Sequence, residues 1–159
     1  MTAGKETVIV WHVGEGKALQ VLKHNDLVCS AVFRQSFRAD RSLHIASGGC
    51  EKMLRIWNIT TGKVTDWQKT SHYITSLAFS GTGHRLVAGL ISGEICVYDS
   101  EKEKLSFVQK IECKNRTGKF AKGTKVTGIE FMGVNHPNCI MVTTNDSRIR
   151  FVNINKGVI

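Results

Sequence analysis

With 159 residues, 42% of them hydrophobic, 22% charged and 8% aromatic, the chain has the size and composition of one globular domain, which excludes disordered and collagen-like polymers. Twenty-two Lys and Arg against thirteen Asp and Glu give a net charge of +9. That balance favours acidic partners such as phospholipid surfaces, nucleic acid or acidic protein segments. No stretch approaches the roughly 20 consecutive apolar residues of a membrane span, and the start MTAGKETVIVWH lacks a secretory layout, so the expectation is a cytoplasmic or nuclear chain beginning near Met1.

The predicted elements are short strands. Val8 to His12 (VIVWH) and Ala18 to Leu22 come first, then Val28 to Phe33 (VCSAVF), Leu43 to Gly49 (LHIASGG), Leu54 to Asn58 (LRIWN) and Val64 to Trp67. The same succession returns in Ile74 to Ser80 (ITSLAFS), Leu86 to Leu90 (LVAGL), Ile95 to Asp99 (ICVYD) and Leu105 to Ile111. It begins once more in Val126 to Met132 (VTGIEFM), Ile140 to Thr144 (IMVTT) and Ile149 to Asn153 (IRFVN). Apolar residues alternate imperfectly at the strand period of two, and no helical periodicity competes.

The anchors Trp11, Trp57, Tyr98 and Val152 are 46, 41 and 54 residues apart. Four short strands per unit of that length is the pattern of a β-propeller blade. With strands named a, b, c and d, the order reads c-d, then a-b-c-d twice, then a-b-c, about thirteen strands in three and a half blades. The expected units are a partial blade over 1–23, blades over 24–67 and 68–111, an insertion over 112–125 and a partial blade over 126–159. With a single proline, Pro137, the turns fall to Gly, Asn, Asp and Ser.

The segment from His24 to Asn58 resembles a WD40 repeat: a His before strand a, a Ser-Gly closing strand b, an acidic residue in the b/c turn and a Trp closing strand c. The resemblance implies a structural hydrogen-bonded set of His24, Ser47 and Trp57, with Glu51 where Asp is usual. Such a set gives a buried indole N–H and imidazole their partners. The other units depart from the pattern. Ala88, Ser92 and Tyr98 replace the Ser, the acid and the Trp, and His72 sits too close to strand a. In the last unit Asp146 holds the turn position, Val152 replaces the Trp, and no His precedes Val126. Val64 to Ser76 (VTDWQKTSHYITS) and Lys122 to Arg150, with its hexapeptide NDSRIR, are similar to the propeller of large Rab-effector (rabphilin-like) WD-repeat proteins and their plant and protist relatives. That narrower resemblance implies a cytosolic scaffold in vesicle traffic, without transferring a Rab-binding site.

The excess length of the last spacing falls between Ile111 and Val126. The stretch from Lys110 to Lys125 carries Lys110, Lys114, Arg116, Lys119, Lys122 and Lys125 against Glu112 alone, +5 of the net +9. The reading as a solvated insertion stands beside that of an electrostatic contact with anionic lipid or an acidic protein, at about 1 kcal/mol per basic residue near a charged bilayer. In a propeller the d-to-a connections open on one rim, which places Asn25, Asp26 and Tyr73 beside this loop. Nucleic acid is the weaker alternative, because Phe120 is the loop's only aromatic and no RNA motif is visible.

Other strings carry less. Gly14 to Gly16 and Gly81 to Gly83 neither open a helix nor end in GK[ST], the sequons at Asn58 and Asn115 lack a secretory context, and the six histidines show no HExxH or HxH spacing. Five cysteines, Cys29, Cys50, Cys96, Cys113 and Cys139, have no CxxC spacing and read as reduced, mostly buried thiols. No nucleophile elbow or carboxylate pair is recognisable, so no enzyme, cofactor or metal is expected.

The sequence therefore predicts an all-β, WD40-type propeller portion acting as a non-catalytic protein-interaction scaffold, cytoplasmic and peripheral on trafficking membranes. The alternative is a nucleic-acid-associated, RNA-processing propeller subunit. Too few blades for closure implies a portion of a longer chain or self-association through open edges, two copies bringing about twenty-six strands, close to the twenty-eight of a seven-bladed ring.

Overall fold

A computed structural model describes residues 1–34, 43–100, 104–113, 125–133 and 135–157. All of its regular structure is β. The first sheet holds β1 (Thr2–Gly4), β2 (Thr7–His12) and β3 (Lys17–Lys23), and the second β4 (Val28–Arg34), β5 (His44–Gly49), β6 (Met53–Asn58) and β7 (Lys63–Lys69). The third holds β8 (Ile74–Phe79), β9 (Arg85–Leu90), β10 (Glu94–Asp99) and β11 (Ser106–Glu112), and the fourth β12 (Val126–Phe131), β13 (Cys139–Thr144) and β14 (Arg148–Asn153). Each is an antiparallel meander with strands in chain order, so the all-β blade pattern is borne out.

The strand tally needs correction. The chain opens on a short b strand, β1, which pairs with β2 from Thr2 opposite Ile9 to Gly4 opposite Thr7, so fourteen strands are described instead of thirteen. Three residues without an apolar alternation give no sequence signal; the pairing to β2 makes the strand.

Imperfect alternation has a physical cause. A middle strand of the second or third sheet is covered on both faces, so its odd and even residues can both be apolar. In β10, Cys96 and Tyr98 pack with Leu54, Ile56 and Leu77 toward the second sheet, while Ile95 and Val97 pack with Val126, Ile140 and Val152 toward the fourth. A third cluster joins Val8, Val10 and Leu22 of the first sheet to Val28, Ile45 and Trp57 of the second. The outer strands β3, β7 and β11 face solvent on one side and are mostly exposed. Of the five free cysteines, only Cys96 and Cys113 are buried, and Cys29 is exposed, which corrects the expectation of mostly buried thiols: Cys29 lies at the bulge between Val28 and Ser30 that opens strand β4.

Two glycines set how closely neighbouring blades approach. A Cβ on Gly48 would lie 2.5 Å from Ile74 Cδ1, and one on Gly89 2.4 Å from Val126 Cγ1. Both glycines thus receive the first residue of the next blade's inner strand. Gly89→Ala is expected to cost about 1 to 3 kcal/mol by overpacking, read as a lower urea midpoint; an unchanged midpoint would show that the two blades can slide apart freely.

Candidate functional site

The d/a connections and the b/c turns lie on one rim, stitched by backbone hydrogen bonds. The N–H of His24, Thr70 and Cys113, each just after an outer strand, donates to Glu6, Lys52 and Gly93 in the preceding blade's b/c turn. Those turns repeat a left-handed residue, Lys5 at φ 45°, Lys52 at 58°, Gly93 at 81° and Ser147 at 60°. A further set of bonds runs from Cys50, Ile91 and Asn145 to the carbonyls of Leu27, Tyr73 and Lys125.

Inside this rim the second blade brings His24, Ser47, Glu51 and Trp57 together. Trp57 Nε1–H donates to Ser47 Oγ over 2.7 Å, and Ser47 Oγ lies 2.8 Å from His24 Nε2. His24 Nδ1 contacts the Glu51 carboxylate, which also holds the Arg55 guanidinium. One tautomer satisfies every atom: Nδ1–H donates to Glu51, and Nε2 accepts from the Ser47 hydroxyl. Arg55 approaches Nδ1 to 2.8 Å as well, but two donors cannot share that nitrogen, so the carboxylate is what anchors the guanidinium. Burial pushes the His24 pKa below its ordinary value, against the pull of Glu51.

That shift has a sign. A lowered folded-state pKa lets the unfolded chain bind the proton first, so the stability from neutral His24 is complete above about pH 6.5 and lost as pH falls toward the folded value. Urea midpoints taken at about pH 7 and about pH 5 should therefore differ, and His24→Gln should remove part of that difference; the same slope in both proteins would show that His24 does not titrate against folding.

The other blades rebuild the same positions with different chemistry. In the first sheet Trp11 Nε1–H donates to Thr2 Oγ1 over 3.1 Å, so Thr2 takes the part of Ser47. In the third, Thr70 stands where His24 does, Ser92 where Glu51 does and Cys96 where Arg55 does; the acid and its Arg are lost together. Ser92 instead donates to Glu94, which accepts Lys110 at 2.9 Å. In the fourth, Cys113 takes the His position, and its buried thiol is pushed up to about 11 by burial, with Arg150 pulling the other way. Asp146 accepts from Arg150 Nη2 over 2.6 Å and from Thr144 Oγ1 over 2.5 Å. The guanidinium, first of all by its hydrogen bonds, holds the Asp146 carboxyl well below the usual carboxylate range.

Sequence reasoning missed Arg55, Arg150 and Thr2. A signal existed for the arginines, since each lies four residues after its acid, Glu51 and Asp146.

On the solvent side, the rim carries Asn25, Asp26 and Tyr73 exposed on the d/a connections. Leu27, Tyr73 and Lys125 occupy equivalent places just before three inner strands, with Ile91 exposed beside them. Lys52 Nζ stands 5.5 Å above the Tyr73 ring. Of the basic candidates, Lys125 lies on this rim, whereas Lys110 belongs to strand β11 and is paired with Glu94; Lys114, Arg116, Lys119 and Lys122 lie outside the described residues. Among the described residues, no group of three or more His, Cys, Asp or Glu is placed to hold a metal.

The profile of the anaphase-promoting complex subunit 4 WD40 domain matches residues 23–134, more than half of the chain. The chain belongs to the WD40-repeat family. WD repeat-containing protein 44 of Xenopus laevis is 34% identical over 152 residues, 94% of this chain and 16% of that protein. An uncharacterised WD repeat-containing protein of Schizosaccharomyces pombe is 26% identical over 96% of the chain and 26% of its own length, and 2-deoxy-glucose resistant protein 2 of Saccharomyces cerevisiae is 27% identical over 95% and 19%. The chain thus spans between 16% and 26% of the length of these curated relatives. The C-terminal WD40 domain of Sif2 superposes with a TM-score of 0.70 at 14% identity, over 92% of this chain and 39% of that one, a likeness of fold. WD40 repeats are in general non-catalytic scaffolds for protein–protein contact.

Proposed function

We propose that this WD40 chain is a non-catalytic interaction module whose loop-bearing rim receives an acidic segment of a partner protein. The carrying observation is exposed Tyr73 with exposed Ile91 bonded beside it and Lys52 above its ring, on a rim that also carries exposed Leu27 and Lys125 at the equivalent places of the neighbouring blades. An aromatic and aliphatic centre with a lysine over the ring suits a peptide that offers apolar anchors and carboxylates. Lys5, Lys23 and Lys69 add charge at the same rim, where Glu51 and Asp146 are already engaged by arginines. The setting that fits is vesicle traffic on the cytoplasmic side of membranes; it rests on the resemblance of residues 64–76 and 122–150 to large Rab-effector WD-repeat proteins.

Fluorescence anisotropy with a labelled Glu- and Leu-rich peptide tests the reading. Binding should weaken with salt and fall several-fold in Lys52→Glu with Lys125→Glu and in Tyr73→Ala. No binding, or equal binding by the variants, removes the rim as the site. Retention of phosphatidylserine vesicles or of a single-stranded RNA in place of the peptide would redirect the reading to a lipid surface or to nucleic acid.

A further inference from the structure

The inner strands β4, β8 and β12 each open on a bulge, and the extra residue is Cys29, Thr75 and Thr127 in turn. The two threonines use their hydroxyls there. Thr75 Oγ1 donates to the Val126 carbonyl over 2.6 Å, with that of Gly89 3.1 Å away, and Thr127 Oγ1 donates to Thr143 Oγ1 over 3.0 Å. Cys29 brings a thiol to the same position, and S–H is a weak donor for such a bond.

The residue that meets the bulge from the b/c turn repeats as well. Cys50, Ile91 and Asn145 each donate a backbone N–H to the residue two before the bulge, Leu27, Tyr73 or Lys125. The paired positions are thus Thr75 with Ile91, Thr127 with Asn145, and Cys29 with Cys50, so that of these three blades the second alone sets sulfur against sulfur. Gly49 makes the approach close. A Cβ there would lie 2.9 Å from Cys29 N and collide with the Leu27 carbonyl, so the backbone around the bulge lies directly against the residue that precedes Cys50. The two thiols interact. Cys29 is exposed and Cys50 half-buried, within reach of a small reagent, whereas Cys96 and Cys113 are buried.

Burial, and after it the Cys50 thiol, pushes the Cys29 thiol up from its ordinary value, with Lys125 pulling it down and Asp26 adding to the rise. At rest the pair therefore holds two neutral thiols. We propose that Cys29 and Cys50 are a dithiol site, converted to an intramolecular disulfide by exchange with a low-molecular-weight disulfide. The Cys29 thiolate attacks one sulfur of the reagent, forming a mixed disulfide and releasing one thiol; the Cys50 thiolate then attacks Cys29 Sγ and expels the second. One S–S bond breaks and one forms, two electrons pass from the protein to the reagent, and the two thiol protons end on the released thiols. The product ties β4 to the turn that carries Glu51. The site is independent of what the rim binds.

Oxidised glutathione in mildly alkaline buffer, followed by intact mass and by peptide mapping without reduction, tests the proposal. The folded chain should lose two hydrogens, carry no glutathione and yield a cross-linked peptide joining Cys29 to Cys50, all reversed by dithiothreitol. Cys50→Ser should instead retain one glutathione on Cys29, because the second step has lost its nucleophile. The chain unfolded in urea is the control and should lose this selectivity among its five cysteines. A wild type that keeps glutathione on Cys29, a cross-link to Cys139 or between two chains, no reaction at Cys29 and Cys50, or the same pairing yield in the unfolded chain overturns the proposal. Far-UV circular dichroism checks folding. Should Cys50→Ser fail to fold, Cys29→Thr, which supplies the hydroxyl found at Thr75, takes its place and should hold glutathione on Cys50 without a cross-link; a cross-link from Cys50 in that variant equally overturns the assignment.

Discussion

Trp57→Ala is expected to lower the unfolding free energy by about 3 to 5 kcal/mol, the cost of truncating a large buried aromatic. The side chain is 6% exposed and packs in the cluster that joins the first sheet to the second, with Val8, Val10, Val28 and Ile45. Part of the loss is polar, since Ser47 Oγ loses the indole donor at 2.7 Å, although it keeps His24. Trp11→Ala is the control. It removes the same side chain and a similar hydroxyl bond, to Thr2, from a site 39% exposed, so its cost should be well under half as large. Urea denaturation with both variants decides: equal midpoint shifts would place the stabilisation in the Trp–hydroxyl bond common to both, and an unchanged midpoint for Trp57→Ala would remove the residue from the core.

How much of this was legible in the sequence depends on the residue. Trp57, Ser47, Glu51 and His24 were readable because one unit keeps the family's side chains at the family's spacing, and the structure joins them through the hydrogen bonds their chemistry requires. Thr70 and Cys113 were not. They hold the place of His24 only by virtue of a backbone bond to the preceding turn, and a one-residue equivalence carried by a main-chain amide leaves no mark in composition or periodicity. His72, too close to strand a for the family spacing, lies two residues after Thr70, which holds that place. Strand β1 escaped for a similar reason, because its pairing partner and not its own side chains defines it. Thr143 and Gly128 form a third case: a Ser–Gly pair in the two complete blades becomes Gly–Thr in the last, a swap that reads as noise until the register sets the two positions opposite each other. The rim depended on tertiary structure in the same way, as Ile91 reaches Tyr73 through the pairing of β8 with β9, and Lys52 reaches the Tyr73 ring only when the second and third blades stack.

Asp146→Ala is expected to cost about 2 to 3 kcal/mol, below the range for breaking a fully buried ion pair because the Asp146 side chain is 25% exposed. The larger part of the loss falls on Arg150, whose side chain is 7% exposed and gives up two bonds to the carboxylate. Acid titration separates this electrostatic contribution from simple packing. Because the folded-state pKa of Asp146 lies far below its ordinary value near 3.8, the unfolded chain takes up the proton first. The contribution is then complete above about pH 5 and drains away as pH falls below the ordinary carboxylate value. Stability curves of wild type and Asp146→Ala should accordingly stand apart at neutral pH and converge toward about pH 2. A gap that stays constant across that range would mean that Asp146 stabilises the last blade by shape and by its bond to Thr144, with the charge on Arg150 compensated elsewhere. Convergence would mean that the last blade, where Cys113, Asp146 and Arg150 stand at the positions of His24, Glu51 and Arg55, is stabilised by the charge pair of its acid and its arginine.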